Sequence, residues 1–558
     1  MSSKANVSIP LATRRRFRDP LHARRAQRVL LHAALIVPLV AAAGSALAAV
    51  SANTSRCSAT YFSTVAPKNV TIKSASIVAP TANVPEYCSV LATVTYPGNS
   101  IDFLNGFPST WNEKFVWASQ GGLAGQTMNL SGAFLQSGYA TGITDTGHQG
   151  SASAIGGAGR DATFVYDINK FTDYGHRANK LTADAAKALI ASYYLAPIKR
   201  AIFNGCSNGG RSVMINAERY PGQFDAYVVG APFISETGSS LDWLHSERAF
   251  FAKSSSFMRA DKLKLLGNAV IAACDGDDGV NDGLVSNPLV CKFDPRGLQC
   301  PGADNPSCLT RDQVDAVAFW NTDWKNKSGE VVSRRWLFSG VEGEPGGTSL
   351  YQIGPNPSPL DANGVPFPTS AQNNGFSLMI GILGDMVNGN HAYDYRKLDI
   401  NTDLGYFAQV EGVLDATDTN LMAAASKGAK FIFYQGWGDP ALNPMNLIDY
   451  RNAVVARYGQ KTADGFMRVF MVPGMTHCSG GSLATDQFDL MMPTMEKWLD
   501  TGVAPEQVFA SKVVSGVTTR TRPLCAYPKY AHYRPPASAA ATFGVDDAFY
   551  FYCENPTP

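Results

Sequence analysis

AIFNGCSNGG, residues 201–210, joins a short apolar run to a glycine-rich turn around Ser207. The apolar start is typical of a buried parallel strand, and residues 212–220 have the pattern of a helix. A serine on a tight turn from strand to helix exposes a nucleophilic hydroxyl, and the flanking Gly205 and Gly209 relieve crowding there. Because G-x-S-x-G recurs by chance in long chains, an ordinary glycine-rich turn is the alternative.

Two further strand-like runs end in loops with polar residues. Residues 431–434 lead to Asp439, and residues 467–472 lead to His477. Open α/β sheets place their ligands at the carboxyl ends of the strands, and the order Ser…Asp…His is the order of a nucleophilic serine triad in such sheets. We therefore expect His477 to be the general base for Ser207, with Asp439 orienting its imidazole.

A reaction at Ser207 would place negative charge on an oxygen, which backbone amides can stabilise. The amide of Asn208, directly after the nucleophile, is the first candidate donor. Gly122 is the second, because Gly121-Gly122 follows an apolar run at the position of the loop that supplies this donor. An ordinary glycine turn is the alternative for Gly122.

Cys206 precedes Ser207, and Cys478 follows His477. A disulfide holds its two Cα atoms about 5.5 Å apart, so a bridge between these cysteines would bring the serine and the histidine together. The chain has ten cysteines and no C-x2-C pair, which favours five disulfides over metal ligation. Their spacing alone leaves the pairing open. Disulfides also require an oxidising compartment.

Residues 1–48 are predicted to be a signal peptide, with a long basic head, an apolar run over 29–43 and Ala46-Leu47-Ala48 as the cleavage signal. An ordinary secretory signal is favoured over a twin-arginine signal, because the apolar run begins far downstream of the arginines. Cleavage leaves 39 basic and 45 acidic residues, a net charge near −6. Neither nucleic acid nor a membrane is then expected as a partner, and the protein should be secreted or periplasmic.

The remaining chain is too long for one ordinary domain. Residues 49–234 and 426–558 contain the strand motifs and are predicted to form two parts of one α/β core. Residues 235–425, rich in Gly, Pro, Asn and aromatic residues, are predicted to form an inserted lid domain.

These motifs resemble those of the tannase and feruloyl esterase family, over nearly the whole chain after residue 48. The similar stretches are Gly205-Cys206-Ser207-x-Gly209-Gly210-Arg211, Gly436-x-Gly438-Asp439, Gly474-Met475-x-His477-Cys478, Thr144-Asp145-Thr146-Gly147-His148 and Tyr220-Pro221-x-x-Phe224-Asp225. The resemblance implies an α/β-hydrolase core with a large inserted lid, and hydrolysis of esters of aromatic acids without an organic cofactor. It also implies the disulfides Cys57–Cys88, Cys206–Cys478, Cys274–Cys291, Cys300–Cys308 and Cys525–Cys553.

An acidic loop, residues 274–284, concentrates four Asp residues on a glycine-bent backbone, a composition that suits Ca²⁺. It is not an EF-hand, because Ser286 stands where that motif needs Glu. A solvated acidic turn is the alternative. The family resemblance implies a structural Ca²⁺ in the lid, with a ligand set made of the side chains of Asp275, Asp278 and Asp282 and the carbonyls of Val280 and Leu284. Asp277 is expected to be a bystander.

The leading hypothesis is a secreted serine esterase that acts through an acyl-enzyme on feruloyl or related hydroxycinnamoyl esters, either small or linked to a polysaccharide. Gallate esters (tannase activity) and mono(2-hydroxyethyl) terephthalate are the alternative substrates. Residues 376–390 contain no arginine to pair with a free terephthalate carboxylate, which favours hydroxycinnamate or gallate. A non-catalytic binding protein with a hydrolase fold and a peptidase are hypotheses of other classes, which assays of Ser207→Ala and of protease substrates would separate.

Overall fold

The structure is a computed structural model that describes residues 50–154, 157–354, 373–482, 487–537 and 543–556. The predicted signal peptide, residues 1–48, lies outside the described residues. Within the described residues, no helix is both long and apolar enough to cross a membrane.

A nine-stranded sheet forms the centre of the fold. From one edge to the other its strands are β13 (Met467–Val472), β12 (Lys430–Gly436), β9 (Ala226–Pro232), β8 (Arg200–Ser207), β6 (Lys114–Ser119), β7 (Ala140–Thr144), β4 (Asn99–Pro108), β3 (Tyr87–Tyr96) and β2 (Val70–Val78). The first six are parallel, and the last three continue the sheet in antiparallel pairs. The carboxyl ends of β8, β12 and β13 therefore lie at the same edge.

Shorter strands form two-stranded ladders outside this sheet. They are β1 (Val50–Ser51) with β5 (Thr110–Trp111), β10 (Trp324–Lys325) with β11 (Val331–Ser333), β14 (Gln507–Val514) with β15 (Val517–Cys525), and β16 (Tyr530–Tyr533) with β17 (Phe551–Glu554). The Cys525–Cys553 disulfide links the last two ladders.

Helices cover both faces of the sheet. In the described residues they are α1 (Ala59–Val65), α2 (Gly132–Gln136), α3 (Ile168–Thr172), α4 (Ala178–Tyr194), α5 (Asn208–Arg219), α6 (Glu236–Phe250), α7 (Ala260–Cys274), α8 (Arg311–Trp320), α9 (Asn374–Ile380), α10 (Ala408–Leu414), α11 (Met422–Ala425), α12 (Pro444–Tyr458), α13 (Gln460–Phe466) and α14 (Gln487–Thr501). Neighbouring residues on β8 point to opposite faces: Phe203 packs with Leu189 of α4, and Ile202 packs with Trp498 of α14.

The segment between β9 and β12 adds no strand to the main sheet in its described part. It builds an apolar core of its own, in which Leu266 and Val270 of α7 pack with Val317 of α8 and with Trp336. The disulfides Cys274–Cys291 and Cys300–Cys308 lie in this segment. The predicted domain boundaries near residues 234 and 425 stay a prediction.

The predicted helix at residues 212–220 begins earlier, because Ser207 occupies the N-cap position and α5 starts at Asn208. The glycines at 209 and 210 are buried inside this helix. Their poor intrinsic helix propensity hides the first turn in the sequence, while close packing against the sheet compensates for it.

A buried carboxyl in this fold predicts a pH-dependent stability. Glu247 of α6 accepts a hydrogen bond from Asn373 (3.1 Å), and burial raises its pKa from 4.5 to about 8. The folded state therefore holds this proton more tightly than the unfolded state does. The resulting stabilisation is complete below pH 4.5 and is lost as the pH rises through about 8.

We expect the melting temperature of Glu247→Gln to fall less than that of the wild type between about pH 5 and about pH 9, because Gln stays neutral. The measurement is thermal unfolding across that range. Glu330→Gln, at an exposed position, is the control and should follow the wild type. Parallel curves for the wild type and Glu247→Gln would contradict the assignment.

Candidate active site

Ser207 lies where β8 meets α5, with φ 63° and ψ −127°. A positive φ is costly for a residue with a side chain, and it turns the serine out of the sheet edge. The two flanking glycines allow the turn. A Cβ on Gly205 would lie 2.4 Å from the Gly209 carbonyl oxygen, and one on Gly209 would lie 2.6 Å from the Ser119 oxygen. The strand–turn–helix geometry that the motif predicts is therefore present.

Asp439 and His477 follow β12 and β13 and meet at the same edge. The Nδ1 atom of His477 lies 3.1 Å from Asp439 Oδ1 and 3.0 Å from Oδ2. Oδ1 also accepts hydrogen bonds from the amides of Ala441 and Leu442, at 2.9 and 3.0 Å. A carboxylate facing Nδ1 fixes the tautomer in which Nδ1 carries the proton and Nε2 can accept one.

The Cys206–Cys478 disulfide joins the serine turn to the histidine loop. Its Cα atoms are 6.0 Å apart, although 272 residues separate the two cysteines in the chain. Cys478 itself has a positive φ of 62°, as Ser207 does. All ten cysteines are paired, and the five pairs are those that the resemblance implies.

The two candidate oxyanion donors lie on either side of the serine turn. Asn208 is the first residue of α5, where backbone N–H groups have no acceptor within the helix. On the other side, a Cβ on Gly121 would lie 3.9 Å from Ser207 Cβ, which brings the Gly121-Gly122 loop against the nucleophile. Gly122 has φ +58°, a conformation that favours glycine. The donor roles of Asn208 and Gly122 stay predictions.

A buried ion pair connects these two sides. Arg211 Nε lies 2.8 Å from Glu236 Oε1 and also donates to the side-chain oxygen of Asn208 at 2.8 Å. Tyr174 donates to Glu236 Oε1 at 2.7 Å, and its hydroxyl lies 3.4 Å from the Gly122 carbonyl oxygen. Burial raises the pKa of Glu236 to about 7, and Arg211 opposes that rise. The same buried ion pair therefore holds both the side chain of Asn208 and, through Tyr174, the Gly122 loop.

Arg211 belongs to the serine motif, whereas no motif in the sequence marks Glu236 or Tyr174. The position of Arg211 one turn after Ser207 was the available signal, because a buried arginine in a helix needs an acid partner. Nothing in the sequence indicates that this partner begins α6.

Two more side chains beside the triad were missed. Tyr351 packs edge-on against the His477 ring, with centroids 5.3 Å apart. Burial raises the pKa of Tyr351, while the charge of nearby Arg160 opposes that rise. The Nη1 atom of Arg160 lies 2.7 Å from the position of a Cβ on Gly122. Arg160 and Tyr351 lie in short helical turns, Ala158–Arg160 and Ser349–Ile353, that no sequence motif marks.

The acidic loop is held together by its own carboxylates. Asp275 accepts hydrogen bonds from the amides of Asp282, Gly283 and Leu284, at 3.0, 2.8 and 3.2 Å. Asp278 accepts from Val280 N at 3.1 Å and from a serine hydroxyl at 2.6 Å.

Arg522, from β15, pairs with the carboxylate of Asp282. Burial raises the pKa of Asp278 to about 7 and also raises that of Asp282, which Arg522 opposes. Over the residues that the structure describes, no three His, Cys, Asp or Glu side chains converge as a metal site would require. The residue types fit Ca²⁺. To bind it, however, the carboxylates would have to exchange their present contacts with backbone amides and Arg522 for contacts with the ion.

Comparisons with known proteins agree with this geometry. The family model for tannase and feruloyl esterase matches residues 88–543. An uncharacterised esterase of Xanthomonas campestris pv. campestris is 32% identical over 515 residues, covering 84% of each chain. The mono(2-hydroxyethyl) terephthalate hydrolase of Piscinibacter sakaiensis is also 32% identical and covers 82% of this chain and 84% of its own.

Among solved structures, feruloyl esterase B from Aspergillus oryzae superposes with a TM-score of 0.76 at 21% identity. The superposition covers 90% of this chain and all of that one. The predicted α/β-hydrolase fold is therefore confirmed.

The Cys206–Cys478 bridge should matter for the reaction as well as for stability. Replacing both cysteines by alanine should lower kcat/KM for p-nitrophenyl acetate about a hundredfold, because a small displacement of a catalytic base is enough for such a loss. The measurement is steady-state hydrolysis well below the melting temperature of the variant.

The matched control is Cys300→Ala with Cys308→Ala. It removes a bridge whose two cysteines have a sequence separation of only 8 and which joins no triad loop. This variant should keep kcat/KM within about threefold of the wild type, since it changes no group at the triad. Equal losses in both double variants would show that the effect of the first bridge is general destabilisation.

Proposed function

The chain belongs to the tannase and feruloyl esterase family of carboxylic ester hydrolases, and we propose that it is a serine esterase for esters of aromatic carboxylic acids. The contact that carries the proposal is His477 Nδ1 against Asp439, at the sheet edge where Ser207 turns out of β8. Feruloyl and related hydroxycinnamoyl esters are the proposed substrates. The similarity to named feruloyl esterases supports this choice.

In the proposed reaction, His477 Nε2 removes the proton of the Ser207 hydroxyl while Oγ attacks the ester carbonyl carbon. The carbonyl oxygen becomes negatively charged and accepts hydrogen bonds from the backbone amides of Asn208 and Gly122. His477 then returns the proton to the alcohol oxygen as the C–O bond breaks, which leaves an acyl group on Ser207. Water, activated by the same imidazole, releases the acid and restores the serine.

Asp439 keeps the imidazole in the tautomer that this sequence of proton transfers needs, and its charge stabilises the imidazolium. The Arg211–Glu236 pair holds Asn208 and, through Tyr174, the Gly122 loop, so the oxyanion donors are positioned before the substrate arrives. No organic cofactor takes part in these steps.

Gallate esters and mono(2-hydroxyethyl) terephthalate remain candidate substrates of the same site. The similarity to the hydrolase of Piscinibacter sakaiensis favours the terephthalate monoester. A polysaccharide-linked aromatic ester would react in the same way as a small one. Nothing in these steps requires nucleic acid or a membrane.

We further propose that the acidic loop binds one structural Ca²⁺. Asp275, Asp278 and Asp282 place three buried carboxylates in one loop. Two arginines face them: Arg522 pairs with Asp282, and Arg520 also pairs with Asp546. A divalent cation would compensate the excess negative charge. The side chains of these three residues and the carbonyls of Val280 and Leu284 would hold it.

We also propose that the protein is exported. Disulfides form and persist in oxidising compartments and are rare in the cytosol, so the five bridges support the predicted signal peptide. Secreted and periplasmic locations both satisfy this condition.

Replacing Ser207 by alanine should abolish hydrolysis of methyl ferulate, because no other group is proposed to carry the acyl intermediate. The measurement is kcat/KM for methyl ferulate, methyl gallate and mono(2-hydroxyethyl) terephthalate, with a fall of at least about a thousandfold for each substrate that the wild type accepts. Ser212→Ala is the matched control, because Ser212 is buried on the same helix. Undiminished activity of Ser207→Ala would remove the serine mechanism.

Calcium removal should lower the melting temperature of the wild type, because an ion that binds only the folded state stabilises it. Adding Ca²⁺ after chelation should restore it. Asp278→Asn should lose most of this calcium-dependent rise, whereas Asp277→Asn, an exposed neighbour in the same loop, should keep it. A wild-type melting curve that is identical in chelator and in excess Ca²⁺ would rule out the ion.

A further inference from the structure

Arg160 is a partly buried arginine whose charge has no counterion among the described residues. Its Nη1 atom donates to the carbonyl oxygen of Gly159 at 2.9 Å. Its Nε atom is buried and has no hydrogen-bond partner within the described part of the chain. Burial lowers the pKa of Arg160 from its ordinary value, and nearby Tyr351 opposes this. An arginine nevertheless stays protonated in a protein, so the positive charge is retained.

This charge lies beside the reacting serine. The Gly121-Gly122 loop separates the two: Gly121 faces Ser207 Cβ, and Gly122 faces Arg160 Nη1. Following the loop from contact to contact, Nη1 lies no more than about 13 Å from Ser207 Cβ. Tyr351, which packs on His477, interacts with the same guanidinium. Arg160 and Ser207 therefore face the two sides of one short loop, and Tyr351 lies against both His477 and the guanidinium.

There is room next to the guanidinium. A cavity of about 360 Å³ opens between the loop that carries Arg160 and the helical segment around Gly381. Two carboxylates also line it, but both already accept hydrogen bonds. Asp161 accepts from Ser151 N (2.8 Å) and Thr163 (2.6 Å).

The second lining carboxylate, that of Asp385, accepts a hydrogen bond from the Tyr166 hydroxyl at 2.8 Å and also faces the exposed imidazole of His391 at 3.0 Å. Neither Asp161 nor Asp385 pairs with Arg160. The cavity therefore offers one positive charge whose partner is not supplied by its own lining.

Arg160 could have a purely structural role and hold the Gly159 and Gly122 loops together. That role would explain its single hydrogen bond but not its charge. Burying a cation without a partner is unfavourable, and a neutral side chain could make the same contact. An anion brought by a ligand would remove that penalty. The planar guanidinium also matches a carboxylate, to which it can donate two parallel hydrogen bonds.

We propose that Arg160 binds a carboxylate on the acyl part of the ester, so that the preferred substrates are aromatic esters whose acid component carries a second, free carboxylate. This inference rests on the proposed esterase function of Ser207. It also changes the order of the candidate substrates: the terephthalate monoester is then preferred to the hydroxycinnamoyl esters, which have no second carboxylate. The absence of an arginine in residues 376–390 does not exclude an anionic substrate, because the turn at residues 158–160 supplies one.

The test compares two methyl esters that differ only in the second acid group, monomethyl terephthalate and methyl 4-methylbenzoate. The wild type should prefer the first, and the ratio of the two kcat/KM values should fall about 10- to 100-fold in Arg160→Gln, mainly through KM for the anionic ester. Arg248→Gln is the matched control. Arg248 is also partly buried and donates to a backbone carbonyl, at 2.7 Å, in a different part of the chain. Its ratio should equal that of the wild type.

If Arg160→Gln does not fold, inhibition of the wild type gives the answer. Free terephthalate should compete with the substrate at least about tenfold more strongly than 4-methylbenzoate does, since only terephthalate brings a second carboxylate. A third ester, 4-acetoxybenzoate, carries its carboxylate on the leaving group. A preference of the wild type for that ester alone would overturn the assignment to the acyl side.

Equal kcat/KM values for the two methyl esters in the wild type would overturn the proposal while leaving the esterase function intact. A different result would contradict the proposed serine esterase mechanism, namely hydrolysis that persists in Ser207→Ala. The two hypotheses therefore fail separately.

Discussion

The Cys206–Cys478 disulfide is the constraint on which the geometry of the site depends. It fastens the turn after β8 to the loop after β13, and these lie three strands apart in the sheet. Without the bridge, packing alone would have to hold together two loops whose cysteines have a sequence separation of 272. In the chain-entropy model a bridge over so long a loop contributes on the order of 5 kcal/mol, less what the nested bridges have already removed. Two neighbouring residues with positive φ, Ser207 and Cys478, can persist because the covalent link over-determines them.

The Arg211–Glu236 pair provides a second, non-covalent constraint. Both side chains are fully buried, so the desolvation of two charges opposes the attraction between them, and the pair is not an argument for high stability. Its effect is on position. Arg211 orients the side chain of Asn208, and Glu236 holds Tyr174 near Gly122. The same buried ion pair therefore fixes the positions of both proposed oxyanion donors. Preorganised donors are effective because they do not have to reorient as charge develops.

How much of this could be read from the sequence depends on how local each feature is. Ser207, Asp439 and His477 each follow a strand-like run within a few residues, so motif and order were sufficient to single them out. The cysteines beside Ser207 and His477 also predict a contact between distant parts of the chain, because a disulfide fixes the distance between its two Cα atoms. Glu236, Tyr351 and Arg160 carry no such mark. Each lies on an element whose position relative to the triad depends on the packing of the whole chain. No local pattern of hydrophobic residues predicts that position.

The two arginines near the site, Arg211 and Arg160, differ in whether the fold supplies a partner for their charge. Arg211 has an acid at 2.8 Å and four further hydrogen bonds, so every part of its guanidinium is accounted for within the fold. Arg160 has one backbone acceptor and no acid in the described residues. If both were structural, the same selection against unpaired buried charge would have given both a partner. The difference is explained when the partner of Arg160 arrives with the substrate, and it places the choice of substrate in the loops around the triad rather than in the triad itself.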